Sequence, residues 1–133
     1  MNVLEHVEQD AAAIESMYDC LEPGGHIALV VPAHTWLFSP LDRRYGHFRR
    51  YSRSDVPRLL ARLTGASLPR CRYQNAAAVP GWWVNHVLLK RERLSPSQTV
   101  LFDRLLVPFA AAFERIVPVP IGLSLVLWIR KGS

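Results

Sequence analysis

Pro23-Gly24-Gly25-His26-Ile27-Ala28-Leu29-Val30-Val31-Pro32 is the stretch whose reading decides the fold. Ile27 to Val31 is an unbroken apolar run, closed by a proline that has no N–H to give to a sheet. A strand without polar alternation is buried on both faces, as in a parallel sheet covered by helices. Upstream, Val7, Ala11, Ile14, Tyr18 and Leu21 recur at helical spacing, which predicts a helix from about Asp10 to Leu21. Asp10 is placed to accept the free amides of its first turn, and Pro23-Gly24-Gly25 stops it. A helix, a Gly-Gly turn and a doubly buried strand make the second half of a βαβ unit. The first strand of that unit would end near Met1-Asn2-Val3-Leu4, so the chain starts at the C-terminal edge of a strand.

Downstream, residues 33–53 read as an irregular loop rich in arginine and aromatic residues, longer than an ordinary connection and therefore a candidate functional loop. A second helix is expected from about Ser54 to Leu63, with Val56, Leu59, Leu60 and Leu63 on one face and Gly65 as its stop. Arg70 to Gln74 reads as a half-exposed strand with Cys71 and Tyr73 inward. Gly81 to Leu89 reads as a short helix, and Ser95-Pro96-Ser97 opens a longer one to about Val117. Leu123 to Ile129 is the last strand. No repeat, low-complexity tract or linker interrupts residues 1–133, which form one domain or part of one.

Half the residues are hydrophobic and a fifth charged, which excludes disordered and collagen-like classes. Cys20 and Cys71 have neither metal spacing nor the look of a disulfide framework, and the acidic opening lacks the basic region of a signal peptide. A cytoplasmic location is the expectation. The net charge of +5 is uneven: residues 1–24 carry −6, residues 25–72 carry +7 and the rest +4. The basic stretch admits a non-enzymatic module that binds a polyanion or nucleic acid, although its arginines follow no nucleic-acid motif and no nucleic-acid partner is expected. The apolar runs are too short for a transmembrane helix. Trp82 to Leu89, beside Lys90, Arg91 and Arg93, has the composition for peripheral membrane contact.

Asn2-Val3-Leu4-Glu5-His6-Val7, a helix, then Leu21-Glu22-Pro23-Gly24-Gly25-His26 before an apolar strand resembles the second half of class I S-adenosylmethionine-dependent methyltransferases. In that family the fourth strand ends in a short LEH segment and L-x-P-G-G precedes the fifth. Val31-Pro32-Ala33-His34, Asp42, Gly46-His47 and Arg49-Arg50-Tyr51-Ser52 look like one bacterial branch of it. The resemblance covers the whole chain and implies an α/β fold: the C-terminal half of a Rossmann-like sheet with its flanking helices. The family's glycine-rich cofactor loop and its first strands are missing, for no G-x-G occurs here. Roughly 90 to 110 further residues upstream are therefore expected, from the usual size of a domain. Without them the strand at 27–31 would expose an edge and invite aggregation.

The resemblance implies methyl transfer to a small-molecule or lipid-like acceptor, with S-adenosylmethionine bound mainly by a segment outside this chain. Ligands of open α/β sheets sit beyond the carboxyl ends of the strands. Two segments fall there, Asn2 to His6 and the loop from Pro32 to Tyr51. Asn2 and Val3 would lie beside the cofactor. His6 and His47 are the candidate catalytic groups, able to take a proton near neutral pH. Asp42, Arg49, Arg50 and Tyr51 are candidates for holding the acceptor, since guanidinium and phenol groups suit a carboxylate or phosphate; the equal alternative is that Asp42 pairs with an arginine and Tyr51 caps the core, holding the loop closed. Trp82 and Trp83 would wall that pocket or pack in the core. Family branches acting on small RNAs and quinone precursors bind a divalent metal through a Glu-His pair like Glu5-His6, with an acidic residue three positions earlier. Asn2 stands there in this sequence, so no metal is expected.

Overall fold

The computed structural model describes residues 3–66, 69–92 and 119–132. A short turn at Leu4–His6 leads into helix α1, Asp10–Asp19. Strand β1 is His26–Pro32, followed by a short helix α2, Pro40–Arg44, and by α3, Val56–Leu60. Strand β2, Arg70–Gln74, precedes α4, Ala78–Trp82, which runs on into a π-helical turn, Trp83–Leu88. Strand β3, Ser124–Arg130, closes the described chain. The helix expected at 95–117 lies outside the described residues, as does Asn2.

The strands form a three-stranded sheet in the order β1-β3-β2. Both outer strands are antiparallel to β3, with His26 opposite Arg130, Pro32 opposite Ser124, and Arg70 opposite Trp128. The parallel neighbour expected for β1 is thus not the one it has here. An apolar run reports burial but carries no information about the direction of the strand beside it. β2 ends at Gln74 and β3 begins beside it at Ser124, with Gly122 crossing so close that a Cβ would strike the Gln74 carbonyl. β1 and β2 consequently run parallel to one another with β3 between them.

Nor is β1 covered equally on both faces. Ile27, Leu29, Val31 and Ala33 are buried, whereas Ala28 is exposed and Val30 half-buried beside Trp128 and Val126 of β3. The buried face packs on α1 and α3 through Ile14, Tyr18, Val56 and Leu59, with Tyr73, Leu125, Leu127 and Ile129 completing the core. Lys131 N–H donates to Gly25 and Ala33 N–H to Leu123, so odd-numbered residues of β1 bond to β3. The even-numbered groups point to the other edge, where Tyr51 N–H donates to Pro32 and His34 N–H to Tyr51. No described residue pairs with the backbone of Ala28 or Val30 there.

The loop at 33–53 is more ordered than its composition suggests. Pro40 stands at the first helical position of α2, and the Ser39 N–H and hydroxyl both donate to Asp42 Oδ2 at 2.8 Å. α3 stops at Leu60, short of Leu63, and Gly65 takes the positive φ of +73° expected of the stop.

Candidate functional site

The Leu4–His6 turn and the 34–51 loop meet beyond the carboxyl end of β1. Three bonds join them, and a fourth ties the loop to Glu8 just beyond the turn. Phe48 N–H donates to the Glu5 carbonyl at 2.8 Å, and the Tyr51 hydroxyl donates to the Leu4 carbonyl at 3.1 Å. His6 Nδ1 reaches the Gly46 carbonyl at 3.2 Å, and Arg49 Nη2 the Glu8 carbonyl at 2.9 Å. The two segments that the sequence placed at this edge are therefore one structure.

Asp42 organises the loop. Its side chain is fully buried and receives Arg50 Nη2 at 2.9 Å, Arg50 Nε at 3.0 Å and His47 Nδ1 at 3.0 Å, besides Ser39. Arg50 also donates to the Ala33 carbonyl and lies over the Trp82 ring, whose Nε1 donates to Leu37. Burial, the largest influence on Asp42, pushes its pKa up. The bonds and charge of Arg50, with Ser39 and His47, outweigh it and hold the carboxyl below its usual range.

Asp10 plays the same part beneath the loop. It is 3% exposed and binds Arg58 through both oxygens at 3.0 Å, Arg49 at 3.0 Å and the Tyr51 hydroxyl at 3.3 Å. Its Oδ1 also accepts from Ala11 N–H, at the first turn of α1 as expected, although Gln9 is the residue at the N-cap position. Burial raises the Asp10 pKa, but Arg58, Ala11 and Arg49 overcome it and the net shift is downward. Burial, then the nearby Asp10 charge, drives the Tyr51 hydroxyl pKa up, so Tyr51 stays neutral.

Of the residues proposed to hold an acceptor, Asp42, Arg50 and Tyr51 are buried, with their polar atoms turned on one another and on the backbone. In this arrangement they close the loop. Arg49 is half-buried and, with Thr35, Phe38, Phe48 and the edge of Arg50, lines a concavity of about 230 Å³. Val3 is exposed at the chain's start. Trp83 is exposed, and Trp82 is half-buried under Arg50.

His6 and His47 stand edge to face, with ring centroids 4.7 Å apart. Each ring spends Nδ1 as a donor, to the Gly46 carbonyl and to Asp42, which leaves Nε2 as the basic nitrogen. Glu5 is 1% exposed, and its Oε2 has no hydrogen-bond partner among the described residues. Ligand atoms of Glu5, His6 and His47 lie within 4.8 Å of one another, so a divalent ion at this site would be held by these three residues. The expectation of no metal weighed position 2 alone and did not foresee His47 beside Glu5. His34, which the sequence did not single out, is buried at a positive φ of 61°, stacked 4.5 Å from Tyr73, where the chain turns out of β1.

The titrations predict loss of stability in acid in two steps. Burial, then the charge of Arg50, lowers the His34 pKa. Its contribution is complete above about pH 6.5, the unfolded value, and declines as pH falls through and below it. Asp10 and Asp42 are lowered too, so their contribution holds down to about pH 4 and is lost as pH falls further. Urea midpoints measured from pH 8 to pH 3 should fall in these two stages, and His34→Phe should remove the first.

No protein-family model matches the sequence, and no curated protein matches it at the level required. Among solved structures the chain is similar to a protein of Bacillus halodurans C-125 whose assignment as a methyltransferase is itself provisional. The two share 14% identity over 98% of this chain and 66% of that one, with a TM-score of 0.46. The likeness is too distant to assign fold or activity.

Proposed function

We propose that this chain is the acceptor side of an S-adenosylmethionine-dependent methyltransferase that acts on a small or lipid-like molecule. Its antiparallel three-stranded sheet would then belong to the C-terminal half of a Rossmann-like domain. The observation that carries the proposal is the Asp42–His47 pair, held against His6 and Glu5 beyond the carboxyl end of β1. The cofactor supplies an electrophilic methyl group. His47 Nε2 would take the proton released by the acceptor's nucleophilic atom as that atom is methylated. Asp42 fixes the tautomer and offsets the charge of the imidazolium that forms. Phe38 and Phe48 beside Arg49 suit an apolar acceptor with an acidic group. Asn2 and Val3 would be the cofactor-facing positions by the family resemblance; the described residues offer no glycine-rich cradle.

The alternative, a polyanion-binding module, is less well supplied than its charge suggests. Arg49, Arg50, Arg58 and Arg62 are paired with Asp10, Asp42 and Glu15.

The test uses protein isolated from its own cells, with its intact mass recorded against 15.1 kDa. Labelled methyl from S-adenosylmethionine should appear in a small-molecule or lipid extract. His47→Ala should cut that transfer by about 10²–10⁴-fold, the usual contribution of a general base. No transfer by the native protein to any fraction would end the proposal.

A further inference from the structure

We infer that the α4–π-turn segment is a lipid-docking surface, by which the protein sits on a membrane carrying anionic headgroups. No described helix is long and apolar enough to cross a bilayer, so the contact is peripheral. The inference stands on this surface and does not depend on methyl transfer.

The segment's inner side is occupied: Val79 and His86 are buried and Trp82 lies under Arg50. Its outer side is apolar and bare. Trp83 is 43% exposed, Val84 42%, Leu88 58% and Leu89 52%. The winding explains how the four come together. A π-turn closes i to i+5, as Leu89 N–H does on Val84. That wider winding brings residues five apart, Trp83 with Leu88 and Val84 with Leu89, nearer to one face. In an α-helix, residues five apart would diverge by roughly 140° around the axis. π-turns are rare and recur at functional sites.

Cations follow at once. Lys90 and Arg91 are exposed, and Lys90 takes a positive φ of 50°. The turn is pinned: His86 Nδ1 meets the Arg91 carbonyl at 2.7 Å, and Arg91 N–H donates to the Asn85 carbonyl at 2.9 Å. Arg44 of α2 reaches the exposed Glu92 carboxylate at 3.9 Å, so these two charges offset one another and Lys90 and Arg91 carry the net charge of the surface. A tryptophan and aliphatic side chains on one face, with Lys and Arg at its end, match the polarity step at a bilayer surface. The charge specifies which lipid: each surface cation gains only where the headgroups are anionic.

The test is co-sedimentation of the full chain with vesicles of phosphatidylcholine containing 30 mol% phosphatidylglycerol. Binding is expected to these vesicles and to weaken about tenfold or more on phosphatidylcholine alone or in high salt. Trp83→Ser with Leu88→Ser should abolish pelleting, and Lys90→Glu with Arg91→Glu should weaken it at least about tenfold. All four positions are exposed, so the fold should survive, as circular dichroism would verify. Met17→Ser, an exposed apolar residue on α1, should change nothing. No pelleting with either vesicle would overturn the inference. So would pelleting that survives the Trp83/Leu88 change, or a face that size exclusion shows to be covered by a second copy of the chain.

Discussion

Asp42→Ala is expected to lower unfolding free energy by about 3–5 kcal/mol, the range for removing one partner of a buried ion pair. The loss has three sources. Arg50 would remain 4% exposed with its main partner gone, Ser39 would lose the acceptor that starts α2, and His47 would lose the group that orients it. Urea denaturation followed by circular dichroism would measure it. The double replacement Asp42→Leu with Arg50→Met should recover much of the stability, because two apolar side chains leave no uncompensated charge. It should not recover the tautomer of His47. Equal loss in the single and double variants would show that the pair's charges do not set its cost.

Asp10→Ala is expected to cost less, about 2–3 kcal/mol, because its arginines keep a share of water. Arg58 is half exposed and Arg49 about a third, so their ion pairs are partly screened. The larger share comes from the Tyr51 hydroxyl, left with Leu4 alone, and from the uncapped Ala11 amide. Asp10→Asn should retain the cap and the Tyr51 contact while losing the ion pairs. Its deficit should shrink in high salt, whereas that of Asp10→Ala should shrink less.

The elements set by periodicity were legible. β2 was read to the residue, Arg70–Gln74, because its alternation is local. The start of α1 and the body of β3 followed from apolar spacing in the same way. Strand direction was not legible, since Ile27–Val31 looks the same beside either kind of neighbour. α2 was missed although Ser39-Pro40 with Asp42 spells a helix start, because an arginine-rich loop masks three turn residues. For the site, residues 2–6 and 32–51 were expected at one edge of the sheet, but the bonds between Leu4–His6 and residues 46–51 were not read from the sequence. The inward aim of Asp42 and Tyr51 was one of two readings left open for the loop, without the arginine being named: a charge in a sequence does not name its partner. Asp10 shows this most plainly, with Arg49, Tyr51 and Arg58 lying 39 to 48 positions away.

The one-sided pairing of β1 gives a single strand two rates of amide exchange. Ile27, Leu29 and Val31 donate into β3, so their protons should leave only when the sheet opens and report its global stability. Ala28 and Val30 meet no described acceptor, so their protons should exchange many times faster from neighbouring positions. That alternation is a built-in gauge: any segment that docks along this edge would slow Ala28 and Val30 and leave Ile27, Leu29 and Val31 as they were.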